Sequence, residues 1–307
     1  MFDRGDRLME NILAIDIGGT FVKFAVIDEA GNIKKREKSE TPKSLNQLMT
    51  LIEVNVKEVE EYAIAGLAIS SPGSVSKQGI IYGASAIPYI HGPNLKEALE
   101  ERTQKRVEIE NDANCAALAE IWQGSAKGKK EVAVIVIGTG IGGALVHQGS
   151  IVQGHQLHGG EFGYMILDPN QLGSGMSTFS ELASSYSIIK RVANKKNVAP
   201  STLTGEEIFI LAEEGDKDCI ESIESFYEML ALGIYNIQYA YDPELILIGG
   251  GISTRQHLIH NIKEKLQVIV ESVDVATIVP SIDICHFNEN ANLIGAVYHY
   301  LQTEVRA

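Results

Sequence analysis

The chain has 307 residues, room for about two domains at roughly 150 residues each and for a sizeable core without disulfides. Its 45% hydrophobic and 21% charged residues are those of an ordinary globular protein, which excludes a peptide, a small module and a disordered chain. Lys and Arg number 26 against 40 Asp and Glu, so the net charge is −14 and a nucleic-acid partner is not expected; ATP stays open, because a nucleotide site needs only local backbone N–H groups, a metal and a lysine.

Cys115, Cys219 and Cys285 are widely spaced, odd in number and without a C-x-x-C pair, which fits a reducing compartment. The N-terminus MFDRGDRLME has alternating charges with no apolar stretch after them, unlike a secretory signal, and no run approaches the ~20 apolar residues of a membrane span. A cytoplasmic protein is expected.

Ile12 to Ile17 is an apolar run interrupted by Asp16 and closed by Gly18 and Gly19, and Phe21 to Ile27 resumes strand-type residues. A turn over Glu29 to Asn32 leads to a polar third strand, so the opening reads as a β-meander and not as a βαβ unit. Leu45, Leu48, Met49, Ile52 and Val56 mark a helix face. Ala63 to Ile69 is a buried strand running into Ser70, Ser71, Pro72 and Gly73, a strand end of the kind where function concentrates. Leu95, Ala98 and Leu99 mark another helix, Val107 to Ile109 a short strand, and Ala113 to Trp122 an Ala-rich helix opening directly after Asn111 and Asp112.

The second half begins as the first does: Val132 to Ile137 is a strand, Gly138 to Gly143 a glycine-rich turn, and Ala144 to Val146 a resumed strand before a turn at His147 to Gly149. This is an internal repeat. Ile223, Phe226, Tyr227, Leu230, Ile234, Ile237 and Tyr241 define a long helix stopped at Asp242-Pro243. Leu245 to Ile248 is a third strand running into Gly249, Gly250 and Gly251, followed by a helix over Leu258 to Ile269; Leu293, Ile294, Val297, Tyr300 and Leu301 mark a last amphipathic helix.

Any one strand running into glycines could be an ordinary hairpin, since Gly is the default residue for positive φ. Three in this order point to a nucleotide: two turns lacking side chains let backbone N–H groups approach phosphates, and the third lets a flat base pack on the backbone. Asp16, costly to bury unless it faces a cation or donors, either serves a hydrated Mg²⁺ or caps its own turn. Lys23 either contacts phosphate or is solvated. Asp112 either caps its helix or acts as a base, and the second acidic element, Glu161 among the glycines of HGGEFG at 158–163, favours chemistry. Asn with carboxylates and no Arg suits the vicinal hydroxyls of a sugar, whose oxygens donate to a carboxylate and accept from an amide. His147, His155 and His158 have no Cys nearby and match no compact metal loop, so zinc is not read from them. Trp122 is read as core.

DIGGT at 16–20, ISSPGSV at 69–75, ENDANCAALAE at 110–120, GTGIGG at 138–143, HGGEFG at 158–163 and LIGGG at 247–251 together resemble the ROK family of bacterial sugar kinases and repressors, over residues 12 to 302. The resemblance implies an α/β, actin-like and hexokinase-like (ribonuclease H-like) ATPase fold with two domains and an active site in the cleft between them. Residues 11–118 with 291–305 would form the sugar and phosphate side, and 119–290 the nucleotide and dimerisation side. It implies Asp112 as catalytic base, with Ser71, Gly73, Asn111, Asp112, His158, Glu161 and Tyr164 around the sugar. Gly18, Gly19, Thr20, Lys23, Gly138, Thr139, Gly140, Gly142, Gly249, Gly250 and Gly251 would hold ATP, and Asp16 would serve Mg²⁺ through water.

Two departures sharpen this expectation. Many family members carry a His three residues after the Glu of the HGGE run and then a C-x-C-G-x-x-G-C loop that binds structural zinc. Here Tyr164 stands at the His position and residues 167–184 contain no Cys, so no structural zinc is expected. GEFGYM, ENDANC and NLIGAVYHY resemble the bacterial β-glucoside kinases, which phosphorylate the 6-hydroxyl of the non-reducing glucose of disaccharides such as cellobiose; glucokinase and N-acetylmannosamine kinase are the alternatives. A homodimer is expected. A repressor of the family would carry an N-terminal helix-turn-helix domain, for which the roughly ten residues before the first strand leave no room, and an actin- or chaperone-like ATPase would lack the Asn111, Asp112 and Glu161 set.

Overall fold

The computed structural model of the chain describes residues 9–305; the charged N-terminal stretch read above lies outside them up to position 8. The backbone forms two compact units. The first comprises residues 9–123, the short segment 154–158 and residues 289–305; the second comprises 124–153 and 159–288.

In the first unit, β1 (Asn11–Ile17), β2 (Phe21–Asp28) and β3 (Ile33–Glu40) form the expected antiparallel meander. After α1 (Leu45–Glu58), β4 (Ile64–Ser71) returns parallel to β1; β5 (Ser74–Val75) and β6 (Ile81–Tyr82) make a small ribbon, and α2 (Leu95–Thr103) leads to β7 (Arg106–Asn111), parallel to β4. The sheet order is β3-β2-β1-β4-β7. Residues 12–17 of β1 are buried on both faces, as a central strand between covering layers requires. Helix α3 (Asp112–Gln123) starts where β7 ends. The C-terminal helix Ala291–Val305 packs against α3 and the strands β1, β4 and β7. The approach is close: a Cβ at Gly295 would fall on the carbonyl of Cys115. Trp122 stacks on Tyr298 of that helix, consistent with a packing role.

The second unit repeats the plan. β8 (Glu131–Ile137), β9 (Ile141–His147) and β10 (Ser150–Ile151) form a meander, extended by the parallel strands β11 (Leu245–Gly249) and β12 (Ile282–Ile284) in the order β10-β9-β8-β11-β12. Between the meander and β11 (Leu245–Gly249) lie α4 (Phe179–Ala183), α5 (Ser185–Lys196), α6 (Gly205–Glu213) and α7 (Lys217–Tyr241); α8 (Leu258–Ser272) joins β11 to β12 (Ile282–Ile284). The apolar face of α7, with Phe226, Leu230 and Ile234 fully buried, packs into the core under β8 and β11. No helix among the described residues is long and apolar enough to cross a membrane.

Candidate functional site

At the end of β1, Asp16 stands opposite Lys23 of β2 and beside Ser70 of β4. Its carboxylate is 7% exposed, so its partners decide whether it can stay ionised there. Oδ1 accepts from Ser70 Oγ at 3.1 Å and from Asn292 Nδ2 at 3.0 Å. Oδ2 faces Lys23 Nζ at 3.4 Å. Thus Asp16 does not cap its own turn: in the bonds described, the Gly18 N–H goes to the Phe21 carbonyl and the Gly18 carbonyl takes the Thr41 hydroxyl. The charged oxygen not tied by Ser70 and Asn292 faces the half-buried Lys23, beside the exposed Gly19 and Thr20. Sequence reading named Asp16 and Lys23; it missed Asn292, which lies on the last helix.

At the end of β7 the cap of the following helix is supplied by Asn111. Its Oδ1 accepts from the Asn114 N–H at 3.1 Å, the usual N-cap bond, so the capping task falls to Asn111 and not to Asp112. Asp112 is the first residue of α3, which starts one position earlier than the expected Ala113. Asn111 Nδ2 donates to the Gly73 carbonyl at 3.0 Å and to Asp112 Oδ1 at 3.0 Å, and Asp112 Oδ1 also accepts from the Ala113 N–H at 2.8 Å. Gly73 has φ +97°, a backbone state that suits glycine. Ser71, paired in register with Asn111, is fully buried. Asp16, Asn111 and Asp112 therefore gather at the carboxyl ends of parallel strands, with Gly73 beside them. Cys115 reports the charge density there: its thiol is pushed well up by burial and then by the negative charges of Glu110, Asp112 and Asp16. His158 is exposed, with Nδ1 on the Gln156 carbonyl at 2.6 Å.

In the second unit the turn between β8 and β9 is closed by Gly138 N–H to the Gly140 carbonyl, and it is held from outside: Ser180 Oγ accepts the Ile141 N–H at 2.6 Å and the Ser185 N–H donates to the Gly138 carbonyl at 3.0 Å. Gly138, Thr139 and Gly140 are exposed; Gly142 lies within β9 opposite Val136. Gly138 does not use positive φ, and a Cβ there would meet nothing within 4 Å; the same is true of Gly251. An ordinary tight turn explains neither. Gly250 does adopt φ +88°, and Gly249 belongs to β11.

Gly251 lines a cavity of about 930 Å³ with Phe209, Tyr227, Arg255, His257 and Asn261 among its walls. The Arg255 guanidinium lies 3.6 Å from the Phe209 ring centroid, giving this wall a flat, cationic surface suited to stacking. Sequence reading found the glycines but not Phe209 or Arg255, because no motif links α6 to the turn after β11. Glu161 sits half-buried at the head of the single turn Phe162–Tyr164, pressed onto β9 where Gly160 meets Ala144. Tyr164 is 73% exposed.

Among the described residues no three His, Cys, Asp or Glu side chains are grouped as a metal site. A hydrated Mg²⁺ nevertheless fits Asp16. The Oδ1 bonds orient the carboxylate without consuming its charge, and a water-mediated ion needs one such group from the protein and the remainder from phosphate and water.

The sequence profile of the ROK family matches residues 12–303. The chain belongs to the ROK family. A β-glucoside kinase of Listeria monocytogenes is 37% identical to this ROK chain, over 96% of it and 99% of the relative. A crystal structure of a ROK family protein from Streptococcus pneumoniae TIGR4, in complex with sucrose, is 36% identical, with a TM-score of 0.89 over 97% of this chain and 100% of that one. A ROK family glucokinase from Streptomyces griseus, in complex with glucose and AMPPNP, shares the fold at 22% identity, with a TM-score of 0.74 over 94% and 98% of the two chains. The ROK chain is a carbohydrate kinase with the actin-like ATPase fold.

Proposed function

We propose that the enzyme transfers the γ-phosphoryl group of ATP to the 6-hydroxyl of a glucose unit, with a β-glucoside such as cellobiose as its favoured acceptor. The observation that carries the nucleotide half is the pair Gly138 and Gly251, bare of side chains where neither backbone conformation nor packing asks for it. Gly18, Gly19, Thr20, Gly138, Thr139, Gly140 and Gly142 are assigned to the phosphates, with Lys23 beside them. Gly249, Gly250, Gly251 and the Phe209–Arg255 wall are assigned to the base.

For the acceptor, Asp112 takes the proton of the attacking hydroxyl, since Asn111 relieves it of the capping task. Asn111, Gly73, Ser71 and His158 in the first unit, and Glu161 and Tyr164 in the second, are assigned to the sugar. Asp16 would hold a hydrated Mg²⁺, which when bound would neutralise phosphate charge. Most of the catalysis asked of these residues is positioning and charge stabilisation.

The β-glucoside preference is supported by the 37% identity to a β-glucoside kinase over nearly the whole chain, by a relative that binds the disaccharide sucrose, and by the exposed ring of Tyr164 on which a second ring or aglycone could stack. Glucokinase is the second reading, favoured by curated relatives of that name, such as that of Halalkalibacterium halodurans at 30% identity. A homodimer in the cytoplasm completes the proposal, in keeping with three buried cysteines that form no disulfide among the described residues. A coupled ADP assay over cellobiose, aryl β-glucosides, glucose and N-acetylmannosamine tests it. A β-glucoside is expected to have the highest kcat/KM, and Tyr164→Ala to weaken it preferentially. A tenfold advantage for a free monosaccharide, about 1.4 kcal/mol of discrimination, would overturn the preference and leave the kinase assignment in place.

A further inference from the structure

Glu110 is 2% exposed, at the penultimate position of β7, one residue before the Asn111–Asp112 pair. A buried carboxylate is costly unless its oxygens are hydrogen-bonded. Here Oε1 accepts from the Asn111 backbone N–H at 2.8 Å and from Asn114 Nδ2 at 3.0 Å. Oε2 faces His299 Nδ1 of the C-terminal helix at 3.7 Å. The Asn114 N–H in turn donates to Asn111 Oδ1, and Asn111 Nδ2 donates to Asp112 Oδ1. The bonds close a ring: Glu110 holds the Asn111 peptide and the Asn114 side chain, the Asn114 backbone holds the Asn111 side chain, and that side chain holds Asp112.

We infer that Glu110 is a positioning residue for the Asn111–Asp112 pair, fixing through Asn114 the direction in which the two polar side chains leave the end of β7. The inference rests on the reading of Asp112 as general base and deepens it. Bonds to an ionised acceptor are shorter and stronger than neutral ones, so a carboxylate at this place sets the peptide more rigidly than a neutral acceptor does. Small displacements matter at such a site, because misplacement by about 1 Å can cost on the order of 10²-fold in rate.

The alternative is a structural carboxylate that stabilises the start of α3 through the helix dipole. The two are separated by comparing Glu110→Leu, which keeps the approximate shape and removes the acceptor, with Glu110→Gln, which keeps an acceptor oxygen. Kinetics with cellobiose, or with whichever sugar the screen selects, and thermal melting are measured on both. A positioning role predicts that folded Glu110→Leu loses tenfold or more in kcat and gains in sugar KM, with KM for ATP unchanged, and that Glu110→Gln recovers most of the loss. A structural role predicts a lower Tm with kcat and both KM values unchanged, which would overturn the inference. If Glu110→Leu does not fold, Asn114→Ala removes the middle of the ring and is expected to lower kcat by threefold or more; an unchanged kcat there is equally fatal. Asp112→Asn is run alongside. If it retains near-normal turnover, the general-base reading fails. If it is inactive while the Glu110 variants turn over normally, only the present inference fails.

Discussion

Asn292 donates from Nδ2 to Oδ1 of Asp16 at 3.0 Å, across 276 positions of sequence. Ser70 reaches the same oxygen, so both neutral donors lie on one side of the carboxylate and the other side is turned to Lys23. Seven positions after Asn292, His299 faces Glu110. Positions separated by seven share a helix face, so the C-terminal helix touches the carboxylate assigned to the metal and the one assigned to positioning. Gly295, between them, permits the close approach that both contacts need.

Asp112→Asn keeps the shape of the side chain and removes its basicity. A folded Asp112→Asn protein is expected to bind sugar nearly as the parent does while kcat falls by ~10²–10⁴-fold, the usual cost of losing a general base. Calorimetry of sugar binding and a coupled ADP assay give the two numbers; near-normal kcat would remove Asp112 from the reaction.

Gly138→Ala separates ligand approach from chain geometry. A Cβ there meets nothing, and the backbone is outside the left-handed region; the variant should melt at the same temperature or slightly higher, since Gly→Ala at a compatible site stabilises by about 0.4–1 kcal/mol. KM for ATP is expected to rise tenfold or more. An unchanged KM would release this turn from the nucleotide.

Metal dependence should split. Activity is expected to require Mg²⁺, while the melting temperature should not respond to a zinc chelator, and elemental analysis of protein purified without added metal should find no stoichiometric zinc. Zinc at one equivalent per chain would contradict the loss of the metal loop at 167–184.

A fourth expectation concerns pH. The Glu181 side chain accepts from the backbone N–H groups of Thr178 and Ser177 and from the Ser177 hydroxyl, and these bonds hold its carboxyl down at about 2, against 4.5 ordinarily. A depressed folded value means stability that is present above about 4.5 and lost as pH falls toward 2. Glu181→Ala should cost about 1–2 kcal/mol at pH 7 and progressively less below 4.5 in urea titrations. An equal cost at pH 7 and pH 2.5 would show that the carboxylate form is not what matters. The neighbouring Ser180 anchors the second glycine turn, so KM for ATP should rise with the loss.

The strand and glycine pattern was legible because a buried central strand and an open turn leave opposite compositions side by side, as Ile12 to Gly19 and Val132 to Gly140 do. Asn111 and Asp112 stood out for the same reason, at the join of an apolar strand and an Ala-rich helix. What escaped notice is chiefly long-range. Nothing local to Asn292 or His299 announces a partner more than 180 positions away, and Phe209 and Arg255 meet only because α6 folds back on the turn after β11. Some of the missed local structure did carry a signal: α4 and α6 both open with a Thr-x-x-Glu capping box, at Thr178–Glu181 and Thr204–Glu207. The three residues of β12 offered too short a pattern to separate from loop.

The order in which the chain is made gives the C-terminal helix a further consequence. The strands and α3 of the first unit are complete by Gln123, yet Leu293, Ile294, Val297 and Tyr300, which are buried in that unit, are synthesised only after the whole of the second unit. The first unit is therefore completed only after the second has been translated. Throughout synthesis of the second unit, the surfaces of α3 and β4 that this helix covers stand open to water, an interval in which a nascent chain is prone to aggregate or to engage chaperones. A premature stop near residue 290 would spare the residues of the second unit and leave the N-terminal one without its cover.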